Sequence, residues 1–369
     1  MNYKKNILIY EPADTGHHPE FINNLWTYLK NSPPIDKKIL FAIHPKIVEL
    51  YNLESTKIQN VEIILVLKYY SNFSEIKNLA NRLLATDVII MTLNPLFMSL
   101  AFDRFKFNIT GIVFNPFNTN YENYSIYKRF YKELLYLIVS RRNRIKRIFI
   151  LNDLRSAVFL NNRYKVNKYM YLPDPIPFYK KEKLPSSIIL LIKKRTTILH
   201  FGTMSDRKGT QIILDSIELL PPEYMKDLAF LFIGKPCNKN FKDKINEKIL
   251  LYKKIYPSIN IYYYSDFVSV GMMEAYFEIS DLVLIPYISN NMSSGVLGHA
   301  VKYNKPIVSG KGLLGEIVCD NNLGFSINVS KNAIRDVIVE FLKYGKVING
   351  ESYVNEHSIE NFSKIILND

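Results

Sequence analysis

The chain has 369 residues, 48% hydrophobic and 22% charged, enough to build two cores and too apolar to remain disordered. Lys and Arg total 48 against 34 acids, a net charge of +14, which biases the surface toward phosphates, whether of nucleotides, nucleic acid or anionic lipid. Cys237 and Cys319 are too few and too far apart for a disulfide framework or a metal site, so a reducing compartment and a metal-free chemistry are expected.

The chain opens on "MNYKKNILIYEPADTGHH", whose apolar run from Ile7 to Tyr10 is too short for a signal peptide and reads as a first strand. Gly16, His17 and His18 follow it and precede a helix starting near Pro19; a glycine there lets backbone approach a ligand, and a histidine can serve as base or hydroxyl-binding group. Further strands are predicted at "KKILFAI", "VEIILVL", "DVIIMTL", "ITGIVFN" and "RIFIL", with helical spacing over Pro19 to Lys30 and Ser74 to Leu84. Strands alternating with helices imply a parallel sheet covered on both faces. The longest apolar stretch, Val88 to Phe102, is broken by Asn94-Pro95 and falls short of the roughly 20 residues that span a bilayer. A soluble or peripheral protein is therefore expected. Residues 124–147 hold eight basic residues and one acid, with Ile126, Phe130, Leu134, Leu137, Ile138 and Ile145 roughly on one helical face. Such a helix either packs on its own domain with a solvated basic side or lies on an anionic membrane.

Four prolines and a charge run in "YLPDPIPFYKKEKLPSS" mark a linker. The alternation then restarts with "TTILHFGT", "LAFLFIGKP", "INIYYYSDFV", "SDLVLIPY", "KPIVSG" and "GFSIN", and Ser358 and Glu360 open a last helix. Three junctions of this half run strand, small polar loop, helix. In the first, Gly202 ends a strand, Gly209 leads into a helix, and Arg207-Lys208 can neutralise a diphosphate, the Arg as a planar fork and the Lys as a point charge. In the second, Ser293 or Ser294 is placed to cap a helix beginning at Gly295, whose unpaired amides and dipole favour an anion. In the third, Gly310, Gly312 and Gly315 loosen a turn and Glu316 opens a helix, where it either serves the dipole or holds a ligand hydroxyl.

The succession "FGTMSDRKGTQIILDSI", "FLFIGKP", "FEISDLVLIPY", "SSGVLGHAVKYNKPIVSGKGLLGEIV" and "EHSIENFSKII" resembles the retaining glycosyltransferases of family 4, which have the GT-B fold. The resemblance runs through nearly all of residues 196–369; the first half matches more loosely, through "GHHPEFINNL" and through "VFNPF", where Asn115 stands in a segment in which the family often has a histidine. It implies an α/β chain of two Rossmann-like domains facing across a cleft: an acceptor-binding domain at 1–175, a linker at 176–190, a nucleotide-sugar domain at 191–345, and a helix at 346–369 crossing back to the first domain. Carried over by residue, Lys208 matches the diphosphate lysine, Gly295, Val296 and Leu297 match the backbone around the distal phosphate, and Gly202, Thr203, Gly234, Ser293, Ser294 and Glu316 complete the donor side. Gly16, His18 and Asn115 fall on the acceptor side, and His17 joins Lys208 and Arg207 as a catalytic candidate. Thr203 stands where the family usually has Arg, so Arg207 must substitute. The family's paired glutamates fall on Asn291, toward the donor sugar, and His299, toward the ribose.

The function implied is metal-independent, retaining transfer of a sugar from a nucleotide-sugar donor to a glycan or lipid-linked acceptor, in cell-surface polysaccharide synthesis. The nucleotide-sugar is a co-substrate and no cofactor is expected. The place implied is the cytoplasm, peripheral at the inner face of the cell membrane. The alternative is a non-catalytic GT-B-like subunit that binds a transferase or its acceptor. Nucleic-acid binding lacks a recognisable module, and the residues name neither sugar, base, acceptor nor linkage.

Overall fold

A computed structural model describes residues 5–67, 73–119, 124–288 and 294–367. They form two compact units, Met1–Pro175 joined by Ser358–Asp369, and Ile176–His357.

The first unit runs β1 (Lys5–Glu11), α1 (His18–Asn31), β2 (Lys37–Ile43), α2 (Pro45–Tyr51), β3 (Val61–Leu65), α3 (Phe73–Arg82), β4 (Asp87–Ile90), α4 (Phe97–Phe102), β5 (Asn108–Val113), α5 (Ile126–Arg141), β6 (Ile145–Leu151), α6 (Leu154–Tyr164) and β7 (Tyr169–Leu172). All seven strands are parallel, in the order β3-β2-β1-β4-β5-β6-β7. With both faces covered, the strands are unbroken apolar runs whose residues divide by alternation. Leu8, Tyr10, Leu40, Ala42, Val88 and Ile90 enter one core, and Ile7, Ile9, Ile39, Phe41 and Ile89 enter the other. Phe362 and Ile366, from the end of the chain, complete that second core beside Phe21 and Leu25 of α1.

The second unit runs α7 (Ser186–Ile192), β8 (Thr196–Phe201), α8 (Thr210–Ile217), α9 (Pro222–Met225), β9 (Leu228–Ile233), α10 (Lys239–Ile255), β10 (Asn260–Tyr264), α11 (Val270–Ile279), β11 (Leu282–Ile285), α12 (Gly295–Lys302), β12 (Ile307–Gly310), α13 (Leu313–Asp320), β13 (Gly324–Ile327), α14 (Lys331–Tyr344) and α15 (Glu351–Glu356). Its six strands are also parallel, in the order β10-β9-β8-β11-β12-β13. Each sheet thus repeats one doubly wound plan, with the order reversing between β1 and β4 and between β8 and β11. The crevice beyond the carboxyl ends of those strand pairs is where open α/β sheets bind ligands.

Three segments differ from the sequence reading. The short strand β7 overlaps the start of the proline-rich stretch read as a linker: it has only four residues, with Tyr169 and Leu172 buried, and runs directly into Pro173. The expected closing helix is divided. α15 packs on α12 in the second unit, and the separate α16 (Ile359–Leu367) packs on α1 in the first. In α5 the buried residues are Leu135, Tyr136, Val139 and Ser140, whereas Ile126, Phe130, Leu134 and Leu137 of the anticipated face are exposed. Of the anticipated face, Ile138 packs against the core and Ile145 is buried in β6 beyond the end of the helix, while the rest of the buried stripe is one that periodicity did not single out.

Among the described residues no helix is long and apolar enough to cross a membrane, and no group of three or more His, Cys, Asp or Glu gathers as a metal site. Both cysteines are free.

Candidate functional site

At the β8/β11 reversal the chain leaves β8 at Gly202, passes through Thr203 to Lys208 and enters α8 after Gly209. Gly202 has φ 106°, and the Lys208 amine lies 2.9 Å from where a Cβ on residue 202 would stand, so the lysine folds back over bare backbone. Gly209, at φ 74°, lies against Pro286, whose carbonyl oxygen would be 2.4 Å from a Cβ. Only glycine satisfies both the dihedral and the contact. Gly234, at the end of β9, backs directly on Gly202. The Ile288 amide donates to the Arg207 carbonyl at 2.9 Å, tying this loop to the one that follows β11.

The two cations share one aromatic platform. The Lys208 amine stands 4.9 Å and the Arg207 guanidinium carbon 5.9 Å from the ring centre of Tyr287. The ring is buried, and its hydroxyl shares a hydrogen bond with the Ser294 hydroxyl at 3.0 Å. Ser294 therefore does not cap α12 with its side chain, as the sequence suggested; it joins Tyr287 instead. Gly295, Val296 and Leu297 start α12. The side chains of Val296 and Leu297 belong to the core, so only their backbone is available to a ligand. Asn291 and Ser293 lie outside the described residues. Thr203 is exposed at the mouth of the loop, and Glu316 is exposed in the first turn of α13.

A buried histidine under this loop went unread in the sequence. His200, in β8, is 2% exposed. Its Nδ1–H donates to the Leu284 carbonyl of β11 at 2.9 Å, so Nε2 accepts from the Thr210 hydroxyl at 2.9 Å. Thr210 Oγ1 in turn accepts the Ser205 amide at 3.1 Å. Burial pushes the imidazole down to about 4, against the Leu284 hydrogen bond that favours the charged form. The neutral ring thereby joins both switch-point strands to the cation-bearing loop.

His299 lies one turn into α12. Its ring stacks on Phe277 at 5.5 Å, and Nδ1 is 3.4 Å from Glu274 Oε1, an ion-pair distance at which these two atoms close no hydrogen bond. Only the other ring edge can reach a ligand. Glu274, fully buried in α11, also pairs with Lys302 at 2.5 Å and accepts from Tyr303 at 2.6 Å. Burial pushes its carboxyl up, but His299, Lys302 and Tyr303 together outweigh that and hold it at about 2.

The β1/β4 reversal of the first unit carries a second polar cluster. Glu11, buried at the end of β1, accepts the Ala13 amide at 2.9 Å and meets His18 Nδ1 at 2.8 Å. Thr92, beyond β4, places its hydroxyl 3.4 Å from the same nitrogen. Burial raises the Glu11 carboxyl and the His18 contact opposes it. An Nδ1–H donated to Glu11 leaves Nε2 with a lone pair, the state of an oriented base or hydroxyl acceptor. His17 is instead 62% exposed, 3.9 Å from Glu20. Asp174, beyond β7, is pushed up to about 6 by burial, which the His17 charge opposes and the Glu20 charge supports. Gly16 occupies the turn before α1 at φ 69°, and Asn115 is exposed beyond β5 at φ 49°.

No protein-family model and no curated protein matches the chain. Solved structures do. A glycosyltransferase from Rickettsia africae is 16% identical, with 100% of each chain covered and a TM-score of 0.68. Anabaena HepE in complex with UDP and glucose is 14% identical over 99% of this chain and 98% of that one, with a TM-score of 0.66. WaaG, a glycosyltransferase involved in lipopolysaccharide biosynthesis, is 13% identical over 98% of this chain and 97% of that one, at 0.60. These likenesses span both units and give the chain the two-domain α/β GT-B fold.

Proposed function

We propose that the chain is a retaining glycosyltransferase that moves a sugar from a nucleotide-sugar donor to a glycan or lipid-linked acceptor, working at the inner face of the cell membrane in the synthesis of a surface polysaccharide. The observation that carries this reading is the convergence of Lys208, Arg207 and Ser294 on Tyr287 at the β8/β11 reversal, beside the start of α12. That is an anion site made of a point charge, a fork and backbone amides, and it suits a diphosphate. HepE was solved with UDP and with UDP-glucose, which supports the same class of donor here.

Breaking the anomeric bond builds negative charge on the departing diphosphate. Donors already in place stabilise that charge without reorganising: Lys208, Arg207 and the α12 amides in this chain. The leaving phosphate then takes the acceptor proton on the face it departs from, which preserves configuration and requires no protein nucleophile, metal or cofactor. Gly16, His17, His18 and Asn115 form the acceptor side, and Glu11 orients His18.

The exposed stripe of α5 supports the membrane location. Ile126, Tyr127 and Phe130 are 75%, 84% and 70% exposed, with Lys128, Arg129 and Lys132 among them. Apolar anchors interleaved with cations suit an anionic interface. The alternative, a non-catalytic GT-B-like subunit, draws on the absence of acids at 291 and 299.

The test is a thermal-shift titration with UDP, followed by hydrolysis of UDP-glucose. At 100 times its dissociation constant UDP should stabilise by about 2.7 kcal/mol. A shift without hydrolysis or transfer favours the non-catalytic subunit; no shift with any nucleoside diphosphate removes the reading.

A further inference from the structure

The first unit contains a cavity of about 220 Å³ between α4 and α5, beyond the carboxyl ends of β4 and β5. Three rings line it, with Tyr136 stacked on Phe97 at 4.2 Å and tilted against Phe117 at 4.7 Å between centroids. Asn94 fixes one wall by accepting the Phe114 amide at 2.9 Å and donating to its carbonyl at 2.6 Å. Asn115 and Lys132 add polar groups to the lining, and Met98 and Tyr131 add largely apolar ones. Tyr131 also belongs to the exposed face of α5, and Met98 lies beside it on α4, with the Tyr131 hydroxyl donating to Met98 sulfur at 2.8 Å. Cavity and exposed stripe are therefore one continuous surface.

Lys132 decides what the cavity takes. It is half-buried, and burial together with neighbouring Lys128 disfavours its charge. Among the described residues no carboxylate pairs with it; it lies 5.2 Å from the Tyr124 ring centre. An ammonium left in that position beside an aromatic lining suits an anion attached to an apolar body. The volume is below the roughly 300–1,000 Å³ of pockets that enclose a whole ligand, so it holds a headgroup and leaves the remainder outside.

We propose that this cavity binds the headgroup of an anionic lipid presented by a membrane, with the phosphate at Lys132 and the adjoining apolar atoms against the Phe97, Tyr136 and Phe117 rings. The proposal rests on the acceptor side of the functional reading and narrows it from a glycan or a lipid-linked acceptor to a lipid phosphate.

The test is calorimetric titration of the full chain with dihexanoyl phosphatidylglycerol below its micelle concentration. Saturable binding is expected. Lys132→Gln, at a half-buried surface position, should weaken it at least tenfold. Asn115→Asp, nearly isosteric and tolerated at positive φ, should weaken it similarly by setting a negative charge in the lining. The double variant Phe130→Ser/Leu134→Ser should retain binding of the monomeric lipid and lose binding to anionic vesicles. Dihexanoyl phosphatidylcholine should bind at least tenfold more weakly. Unchanged affinity in Lys132→Gln and Asn115→Asp, absence of binding by the folded native chain, or competition by inorganic phosphate at equal concentration would overturn the proposal. UDP titrated into the same samples separates the two readings. A UDP shift without lipid binding defeats the lipid site alone, and lipid binding without a UDP shift defeats the transferase reading alone.

Discussion

His200 offers the sharpest test of how the second unit holds its cation-bearing loop. Its imidazole is neutral, with a folded-state value near 4 against an ordinary 6.5. The unfolded chain therefore binds the proton first, and stability falls as pH drops from 6.5 toward 4. Two and a half pH units at about 1.36 kcal/mol each set the ceiling, and about 3 kcal/mol of it is lost by pH 4. The perturbation is His200→Phe, which keeps a ring of similar size but leaves the Leu284 carbonyl and the Thr210 hydroxyl without their partner. At pH 7 this should cost roughly 2 kcal/mol, the penalty of orphaned buried polar groups. The variant no longer carries the proton-linked loss, so the gap between the two proteins should close near pH 5 and reverse below it, by about 1 kcal/mol at pH 4. Glu274 does not confuse the measurement above pH 4.5. Its carboxyl is depressed to about 2, so the stability it contributes is present above about 4.5 and lost only as pH falls from there toward 2. Urea unfolding of both proteins at half-unit steps from pH 7 to 4.5, followed by tyrosine fluorescence, reads the difference directly. A gap that stays constant across that range would mean that His200 is not held neutral by the fold.

Lys208→Ala should leave the unliganded melting temperature unchanged, within the roughly 0.5 kcal/mol typical of surface substitutions, and should lower UDP affinity more than tenfold; titration calorimetry checks both the affinity and the intact fold. Glu11→Gln should change His18 from a ring protonated at Nδ1 to a mixture of tautomers, because a neutral amide accepts or donates, and nitrogen-detected NMR reads the two forms. Phe130→Ser/Leu134→Ser should leave thermal stability within roughly 1 kcal/mol of native, since both side chains are already exposed, whereas Leu135→Ala on the opposite face should cost about 2–4 kcal/mol by opening a cavity. His299→Glu should destabilise by roughly 3 kcal/mol, and adding Glu274→Gln should recover most of that loss; chemical denaturation of the four proteins in this cycle measures the coupling.

The apolar strands were legible because parallel sheets covered on both faces need runs such as Ile7–Tyr10 and Ile39–Ile43, which no loop would carry. β7 was not, since Tyr169–Leu172 is brief and runs into prolines that read as a linker. The loop Gly202–Gly209 was legible through its glycines and cations, whereas the support under it was not: His200 sits inside an apolar strand, and its partners Leu284 and Thr210 meet it only in three dimensions. The pair Glu11–His18 was half-read. The turn Gly16-His17-His18 marked a candidate, but only the direction in which α1 leaves β1 turns His18 rather than His17 toward the buried carboxylate. For α5, periodicity found an apolar stripe and left it either packed on its own domain or lying on a membrane. Leu135, Tyr136 and Val139 supply a second stripe, and only the sheet beneath decides which one is buried.

The histidine at residue 299, where the family that the sequence resembles has an acid, has a local explanation. A carboxylate there would point its charge at Glu274 Oε1, now 3.4 Å from His299 Nδ1, where the Glu274 charge is fully buried and position 299 only partly exposed. Lys302 and Tyr303 already bind the other oxygen of Glu274, so they have no second charge to neutralise. An imidazole at 299 turns that repulsion into attraction while leaving its other edge to meet a ligand hydroxyl. The acid at 274 and the histidine at 299 are therefore one electrostatic choice made on two helices, α11 and α12. Glutamate at 299 is compatible with this fold only where 274 is neutral. A missing acid explained by its neighbour is weak evidence for lost activity, and the weight of the non-catalytic reading rests on Asn291 instead. Hydrolysis of a nucleotide-sugar by Asn291→Glu, compared with the native chain, is the measurement that bears on it: a large gain would mark position 291 as the place where donor contact was given up.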